Sequence, residues 1–159
     1  MVKVKEGEPA PDFRLPSSEG GELSLRSLLG QWVVLYFYPR DNTPGCTREA
    51  CAFGDSLAKL KRRGAVVLGV SPDSLQAHAR FKEQHGLRFP LLSDADKAVA
   101  KAFGAFGDKV MYGKKVTGII RSTFLIDPAG VVRKVYVKVS PSTHSDDVLA
   151  DLAALQASK

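Results

Sequence analysis

A strand followed directly by a helix, in the first half of the chain, constrains the fold more than any other feature. Val33 to Tyr38 is an apolar run rich in β-branched and aromatic residues, which is typical of a buried strand. Thr43 then predicts a helix N-cap, with the tolerated Pro44 at the first helical position. We expect this helix to extend to about Arg63, and a second buried strand to cover Ala65–Val70. A strand, a helix and a strand in succession predict a parallel sheet with a right-handed crossover.

Both cysteines of the chain lie on this predicted helix. Cys46 falls in its first turn, where backbone N–H groups have no helical acceptor and the positive end of the helix dipole lies. That placement biases a thiol toward thiolate, the reactive form. Cys46 also begins a stripe of inward-facing positions, whereas Cys51 is rotated from it by roughly 140° and raised by about 7.5 Å. The other members of the stripe are Ala50, Phe53, Leu57 and Leu60.

The rest of the chain predicts short alternating elements, without an internal repeat or a linker. Residues 1–31 read as short extended pieces with a hairpin around Ser17–Gly21, a short strand at Leu23–Leu25 and a helical turn at Leu25–Leu29. Gly104–Gly118 is rich in glycine and basic residues, which predicts a mobile loop. The remaining predicted elements are a helix over Ser74–His85, a strand at Leu91–Leu92, a helix over Asp96–Phe103, an antiparallel hairpin of Ser122–Ile126 and Val131–Val137, and a helix over Asp146–Gln156.

Composition and charge narrow the class of protein. A chain of 159 residues, 44% hydrophobic and 25% charged, predicts one domain over residues 1–159 with a sizeable core. No apolar run has the length of a membrane span, and the N-terminus lacks a signal-peptide pattern, so we expect a cytoplasmic protein without a membrane partner. The net charge of +6 does not by itself predict nucleic-acid binding, since its densest cluster, Lys59–Gly64, suits the C-terminus of the cysteine helix. Two cysteines in a reducing compartment indicate catalysis more than a structural disulfide.

The residues around the cysteines resemble a known family. Pro39-x-x-x-Thr43-x-x-Cys46 matches the active-site signature of peroxiredoxins, and Thr-Pro-Gly-Cys-Thr-x-Glu-x-Cys resembles the bacterioferritin comigratory protein (PrxQ) branch. The resemblance implies an α/β, thioredoxin-like fold, in which helices flank a central mixed sheet with an N-terminal β extension. Further segments that carry the resemblance, in order, are Ala10–Phe13, Val70–Ser74, Leu91–Asp94, Tyr112–Lys115 and Gly118–Asp127.

The resemblance implies a peroxidase reaction at Cys46. Its thiolate would attack one oxygen of hydrogen peroxide or an organic hydroperoxide and become a sulfenic acid. Backbone N–H groups of Gly45 and Cys46 would stabilise the leaving oxygen, and Pro39 would shield the thiol. Thr43 has two competing roles for one hydroxyl, capping the helix or binding the peroxide. Arg121 takes the family's peroxide-orienting role only through the resemblance, with a guanidinium that donates twice.

Cys51 is implied to be the resolving cysteine, in a cycle completed by thioredoxin or a similar dithiol reductant. Five positions apart on an intact helix, the Cα atoms of Cys46 and Cys51 would lie roughly 8.7 Å apart, beyond the limit of about 6.8 Å for a disulfide. The helix would therefore unwind between them before a disulfide forms. The alternatives are resolution of Cys46 by an external thiol, and a redox sensor or thiol-dependent binding module on the same fold. A thioredoxin-type disulfide oxidoreductase is disfavoured, because it needs two residues between its cysteines and this chain has four.

The other ionisable residues receive simpler interpretations. Arg48 and Glu49 are candidate partners of the site. His78 and His85 share a helix face with charged neighbours, which predicts a solvated face, and the three histidines and two cysteines do not make a zinc spacing. We therefore expect no metal and no other cofactor. No hydrophobic patch predicts a dimer, and we expect a monomer.

Overall fold

A central sheet organises the part of the chain that the computed structural model describes, namely residues 4–41, 44–111, 113–137 and 144–157. Its five strands, and two further strand pairs outside it, come from the following segments. The strands are β1 (Arg14–Pro16), β2 (Glu22–Ser24), β3 (Trp32–Phe37), β4 (Ala65–Ser71), β5 (Leu91–Ser93), β6 (Phe106–Met111), β7 (Lys114–Ile119), β8 (Ser122–Ile126) and β9 (Val132–Val137). The helices are α1 (Pro44–Arg62), α2 (Leu75–His85), α3 (Ala98–Phe103) and α4 (His144–Ala157), and a 3-10 turn covers Arg26–Leu28.

The central sheet is mixed, with the strand order β5-β4-β3-β8-β9. Strands β3, β4 and β5 are parallel, whereas β8 pairs antiparallel with both β3 and β9. Every residue of β3 is buried, as expected of the middle strand of a sheet covered on both faces. The predicted βαβ unit and the mixed sheet flanked by helices are therefore confirmed.

Alternate residues of β3 supply two separate cores. Val34 and Tyr36 face one core, which they share with apolar residues of α1 and α4. Leu35 and Phe37 face the opposite core, which contains Phe103 of α3 and residues from the N-terminal segment. The period of two in a strand explains this division, since successive side chains point to opposite faces.

Helix α1 buries the stripe that its sequence predicts. Cys46, Ala50, Phe53, Leu57 and Leu60 are all buried against the sheet. The helix ends as expected in a basic turn, with cations close to the negative end of its dipole.

The prediction of a mobile loop over residues 104–118 is wrong. Strands β6 and β7 form an antiparallel hairpin there, paired from Phe106 with Ile119 to Met111 with Lys114. The hairpin lies outside the central sheet, and its middle carries polar cross-strand contacts such as the hydrogen bond from Thr117 Oγ1 to Asp108 Oδ1, 2.9 Å. The sequence of this hairpin lacks the regular alternation of apolar and polar residues by which a strand is recognised.

The smaller elements agree with the sequence. The Ser74 side chain caps α2 by accepting from the N–H of Ala77, and Gly86 ends that helix with a left-handed backbone, φ +61°. The hairpin of β8 and β9 turns at Asp127, whose Oδ1 accepts from the N–H groups of Ala129 and Val131. The N-terminal hairpin of β1 and β2 is also present, with one three-residue strand on each side of the predicted turn. In the described residues, no helix has the length and apolar character needed to cross a membrane.

Candidate active site

Cys46 lies at the start of α1, shortly after the end of the central strand β3. Its side chain is only 1% exposed, and its residue belongs to the first turn of a helix that begins at Pro44. Gly45 lies in the same turn, where N–H groups have no acceptor within the helix. Thr43 falls outside the described residues, so its proposed contact with the peroxide stays a prediction.

A guanidinium from the far half of the chain contacts the thiol. Arg121 Nη2 donates to Cys46 Sγ at 3.0 Å, across 75 positions of sequence. Arg121 precedes β8, and the first residue of β8, Ser122, pairs with Phe37 at the end of β3. The antiparallel pairing of β3 and β8 therefore places this arginine beside the start of α1.

The same guanidinium holds a buried carboxylate. Arg121 Nη1 donates to Glu49 Oε1 at 2.7 Å, and the Glu49 side chain is fully buried while that of Arg121 is 24% exposed. Glu49 lies three positions after Cys46 on α1, so one helix presents both groups to one arginine. The planar fork of arginine suits this arrangement, because its two terminal nitrogens donate in fixed directions to two acceptors.

Burial and charge act against each other in this group. Burial raises the pKa of Glu49, and the neighbouring Arg121 opposes that rise. Burial disfavours the charged guanidinium, but Cys46 and Glu49 outweigh it, and the pKa of Arg121 is raised. The arginine thus stays charged between its two acceptors, Cys46 and Glu49.

Aromatic rings form the wall of the site beneath α1. Tyr36 stacks on Phe53 with ring centroids 5.0 Å apart, and on Tyr38 at 5.3 Å. Burial, then the charges of Glu49 and Cys46, raise the pKa of Tyr36 well above its usual value, so its hydroxyl stays protonated. Sequence reasoning did not single out Tyr36. Its position in β3, two residues before Tyr38, indicated that the two rings lie on the same face of the strand.

The other predicted site residues occupy different surroundings. Pro39 is half-buried in the bend that follows β3, and Arg48 is exposed to solvent. Cys51 is half-buried on another face of α1, in a groove that it shares with Asp55, Lys61 and Arg88. Burial and the charge of Asp55 raise the pKa of the Cys51 thiol. The structure thus brings together Cys46, Glu49 and Arg121, and leaves Cys51 apart from them.

The prediction of a solvated histidine face is wrong for His78. Its side chain is fully buried, with Nδ1 at 2.7 Å from Asp41 Oδ2. The prediction followed the charged neighbours of His78 in the sequence. It overlooked that His78 lies three positions before the buried Phe81, on the same side of α2. His85 is exposed, as predicted. His144 is buried as well, and its burial lowers its pKa to about 4.

Comparisons with known proteins identify the family of the chain. The family model described as the AhpC/TSA family matches residues 6–135, so the chain belongs to that family. Peroxiredoxin Bcp of Xanthomonas campestris is 47% identical over 92% of this chain and 92% of its own length. The structure of Xanthomonas campestris peroxiredoxin Q matches with a TM-score of 0.84 and 46% identity, over 89% of this chain and 90% of its own. A cysteine-to-serine variant of Xylella fastidiosa PrxQ matches with a TM-score of 0.90 and 37% identity, over 97% and 98%.

The relatives of this chain are therefore peroxiredoxins of the Bcp or PrxQ type, and the family resemblance that the sequence predicts is confirmed. The thioredoxin-like fold is confirmed by the same structures. The chain is accordingly a thiol-dependent peroxidase.

The paired contacts of Arg121 lead to a prediction about Arg121→Lys. An ammonium is one compact charge and lacks the fork that reaches Cys46 and Glu49 together, so the variant keeps the charge but loses the geometry. We expect the second-order rate constant for hydrogen peroxide to fall by about 10² or more, the usual effect of removing a donor to developing charge. We also expect a smaller thiolate absorbance at neutral pH.

Arg48→Lys is the matched control, because Arg48 is exposed on α1, the helix that carries Cys46. Stopped-flow peroxide kinetics on the two variants make the comparison. Equal rate constants for Arg121→Lys and Arg48→Lys would show that charge alone, without the fork, serves the thiol.

Proposed function

We propose that Cys46 is the thiol that reduces hydroperoxides in this protein. The observation that carries the proposal is the 3.0 Å contact between Arg121 Nη2 and Cys46 Sγ, with the second nitrogen of the guanidinium held by Glu49. In the reaction, the thiolate attacks the terminal oxygen of ROOH, a sulfur–oxygen bond forms and the oxygen–oxygen bond breaks. Cys46 becomes a sulfenic acid, and the departing RO⁻ takes up a proton and leaves as alcohol or water.

The groups around Cys46 supply what this step needs. Charge moves from sulfur to the departing oxygen, and preorganised donors stabilise it there. Arg121 is one such donor, and the N–H groups in the first turn of α1, from Gly45 onward, are others. Pro39, in the bend that follows β3, would limit water access to the thiol, and Thr43 would add its hydroxyl as a further contact to the peroxide.

We propose both hydrogen peroxide and organic hydroperoxides as substrates. A related structure, the bacterioferritin comigratory protein of Xanthomonas campestris, is described in terms of alkyl peroxide reduction activity with trapped intermediate and ligand complexes. In this chain the aromatic side chains of Tyr36 and Phe53 pack in the same core as Cys46, and this apolar environment is compatible with an alkyl group.

Cys51 is the proposed resolving cysteine. Both cysteines are free, and they lie on one continuous helix, so a bond between them requires α1 to unwind locally. The raised pKa of Cys51 in the folded helix keeps it a thiol, and unwinding would remove the burial that causes the rise. Attack by the Cys51 thiolate on the Cys46 sulfenic acid then gives a disulfide, and the released hydroxide takes a proton to become water. Thioredoxin or a similar dithiol would reduce the disulfide by thiol–disulfide exchange.

A one-cysteine cycle is the second candidate. The separation of Cys51 from the Cys46 site, on another face of α1, favours direct attack of an external thiol on the sulfenic acid. A redox sensor or thiol-dependent binding module would share the first step and lack turnover. We further propose one domain over residues 1–159, a cytoplasmic location and a monomer. In the described residues, the exposed large hydrophobic side chains come from three separate segments, which supports the monomer: Leu29, Leu75 and Val137.

The roles of the two thiols are tested by Cys46→Ser and Cys51→Ser. We expect Cys46→Ser to consume no peroxide with thioredoxin, thioredoxin reductase and NADPH, since it lacks the attacking sulfur. Cys51→Ser should consume one equivalent of peroxide at the wild-type rate and then stop. Sustained turnover by Cys46→Ser would contradict the proposal, and sustained turnover by Cys51→Ser would favour the one-cysteine cycle.

Local unwinding predicts that a stiffer helix resolves more slowly. Gly54 lies inside α1, and a Cβ added there would meet Leu87 Cδ2 at an ordinary 3.7 Å. Gly54→Ala should therefore stabilise the helix by about 1 kcal/mol, which corresponds to roughly fivefold slower disulfide formation if the whole gain is lost on unwinding.

Gly107→Ala in β6 is the control, because its added Cβ also meets one side-chain atom at 3.7 Å, outside the helix. The rate is measured by quenching after a peroxide pulse and counting free thiols by mass spectrometry. Disulfide formation at the wild-type rate in Gly54→Ala would contradict unwinding as the rate-limiting step.

A further inference from the structure

Asp41 and His78 form a buried pair next to the segment that carries the reactive thiol. Asp41 follows β3 and lies five positions before Cys46, whereas His78 belongs to α2, which contributes no group to the thiol site described above. His78 is fully buried and Asp41 is 7% exposed. A histidine and a carboxylate buried together, outside the known machinery of a reaction, require an explanation.

The contacts of His78 show that the pair shares a proton. Nε2 lies 3.0 Å from the carbonyl oxygen of Leu92, which can only accept, so Nε2 carries a hydrogen. Nδ1 lies 2.7 Å from Asp41 Oδ2, a carboxylate oxygen, and a hydrogen bond at that distance needs a further proton between the two atoms. The pair is therefore joined by a short hydrogen bond in a dry environment, where a hydrogen bond is stronger than in water.

Further bonds fix Asp41 at both its side chain and its backbone. The Tyr38 hydroxyl donates to Asp41 Oδ1 at 2.6 Å, and the Asp41 N–H donates to Asp73 Oδ2 at 2.7 Å. The same oxygen of Asp73 accepts from Ser71 Oγ at 2.8 Å, which ties the group to the end of β4. Asp41 is thus anchored to the β4 side of the sheet immediately before the chain enters α1.

The cluster is an anchor and not a metal site. One ligand atom each from Asp41, Asp73 and His78 lies within 4.8 Å of the others. An ion bound by Nδ1 and Oδ2 at about 2.1 Å from each would hold them further apart than the 2.7 Å observed. Both carboxylate oxygens of Asp41 and both ring nitrogens of His78 are instead engaged in the hydrogen bonds described above.

We propose that His78 is a positioning residue for peroxide reduction, acting through Asp41 on the place where α1 begins. Arg121 approaches Cys46 from β8 on one side of β3, and the Asp41–His78 pair holds the preceding backbone from β4 on the other side. Rate constants of reactions in a fixed geometry are sensitive to displacements of about 1 Å, so loss of either hold disturbs the contact between sulfur and guanidinium. The inference rests on the proposed role of Cys46 as the reacting thiol.

Two substitutions at His78 separate positioning from packing. The side-chain nitrogen of Asn is as many bonds from Cβ as Nδ1, and that of Gln as many as Nε2. His78→Asn therefore keeps a donor to Asp41, while His78→Gln keeps a donor to Leu92 and loses the one to Asp41. We expect His78→Gln to lower the second-order rate constant for hydrogen peroxide about tenfold or more, and His78→Asn to stay within about threefold of wild type.

A role of His78 in packing alone predicts a different result. The rate constants of both variants would then either fall in proportion to their free energies of unfolding, measured in urea, or stay unchanged. His85→Asn, an exposed histidine on the same helix, is the control for substitution as such. His78→Asn as slow as His78→Gln, or His78→Gln as fast as wild type, would overturn the proposal.

Asp41→Ala provides a second test that does not depend on the folding of His78→Gln. We expect it to be as slow as His78→Gln, and the double variant to be no slower than the slower single variant, because the two residues act as one unit. Losses that multiply in the double variant would contradict the pair. Peroxide reaction that persists in Cys46→Ser would instead refute the proposed function, whereas a wild-type rate in both Asp41→Ala and His78→Gln would refute only this inference.

Discussion

The contact of one guanidinium with a thiol and a carboxylate is the interaction on which the rest of the site depends. Arg121 donates to Cys46 at 3.0 Å and to Glu49 at 2.7 Å. Burial raises the pKa of Glu49 and so disfavours its charged form, and Arg121 opposes that rise. The fold therefore has to bring a cation to the start of α1 and hold it there, and the sheet topology does this by placing β8 next to β3.

The central strand explains how a single junction receives help from two sides. Strand β3 is parallel to β4 and antiparallel to β8. The C-terminal ends of β3 and β4 therefore lie beside the N-terminal end of β8, at one end of the sheet. Arg121 enters from β8, and the hydrogen bonds of Asp73 and Ser71 enter from the end of β4. The mixed arrangement of the sheet matters for the site. A strand parallel to β3 in the place of β8 would begin at the opposite end of the sheet from Cys46.

Sequence reasoning was most successful where the signal is local. The burial of Cys46 and the four residues that share its stripe follows from helical periodicity, and the end of α2 follows from Gly86. Arg121 is different, since 75 positions separate it from Cys46 and only the resemblance to peroxiredoxins pointed to it. Nothing in the local sequence distinguishes it from Arg48, which is exposed.

The errors occur where long-range pairing replaces local pattern. The polar hairpin of β6 and β7 has no apolar stripe, and His78 gains its partner, Asp41, from 37 positions away. Polar residues are usually exposed, so the local sign of burial at His78, its place on the same side of α2 as Phe81, carries little weight without the partner that satisfies it. A buried polar group needs a specific partner. Such a residue is therefore hard to predict from local sequence, but once observed it identifies a specific contact in the fold.

We propose that Glu49 contributes to the reaction by orienting Arg121 toward Cys46 and not by adding charge to the thiol. Glu49→Gln tests it directly, since the amide keeps nearly the same shape and removes the negative charge beside Cys46. We expect the second-order rate constant for peroxide to fall about tenfold, the effect of losing roughly 1.4 kcal/mol from a charged hydrogen bond, while the thiolate fraction at neutral pH does not fall. An unchanged rate constant, or a loss of rate matched by an equal loss of thiolate, would contradict it.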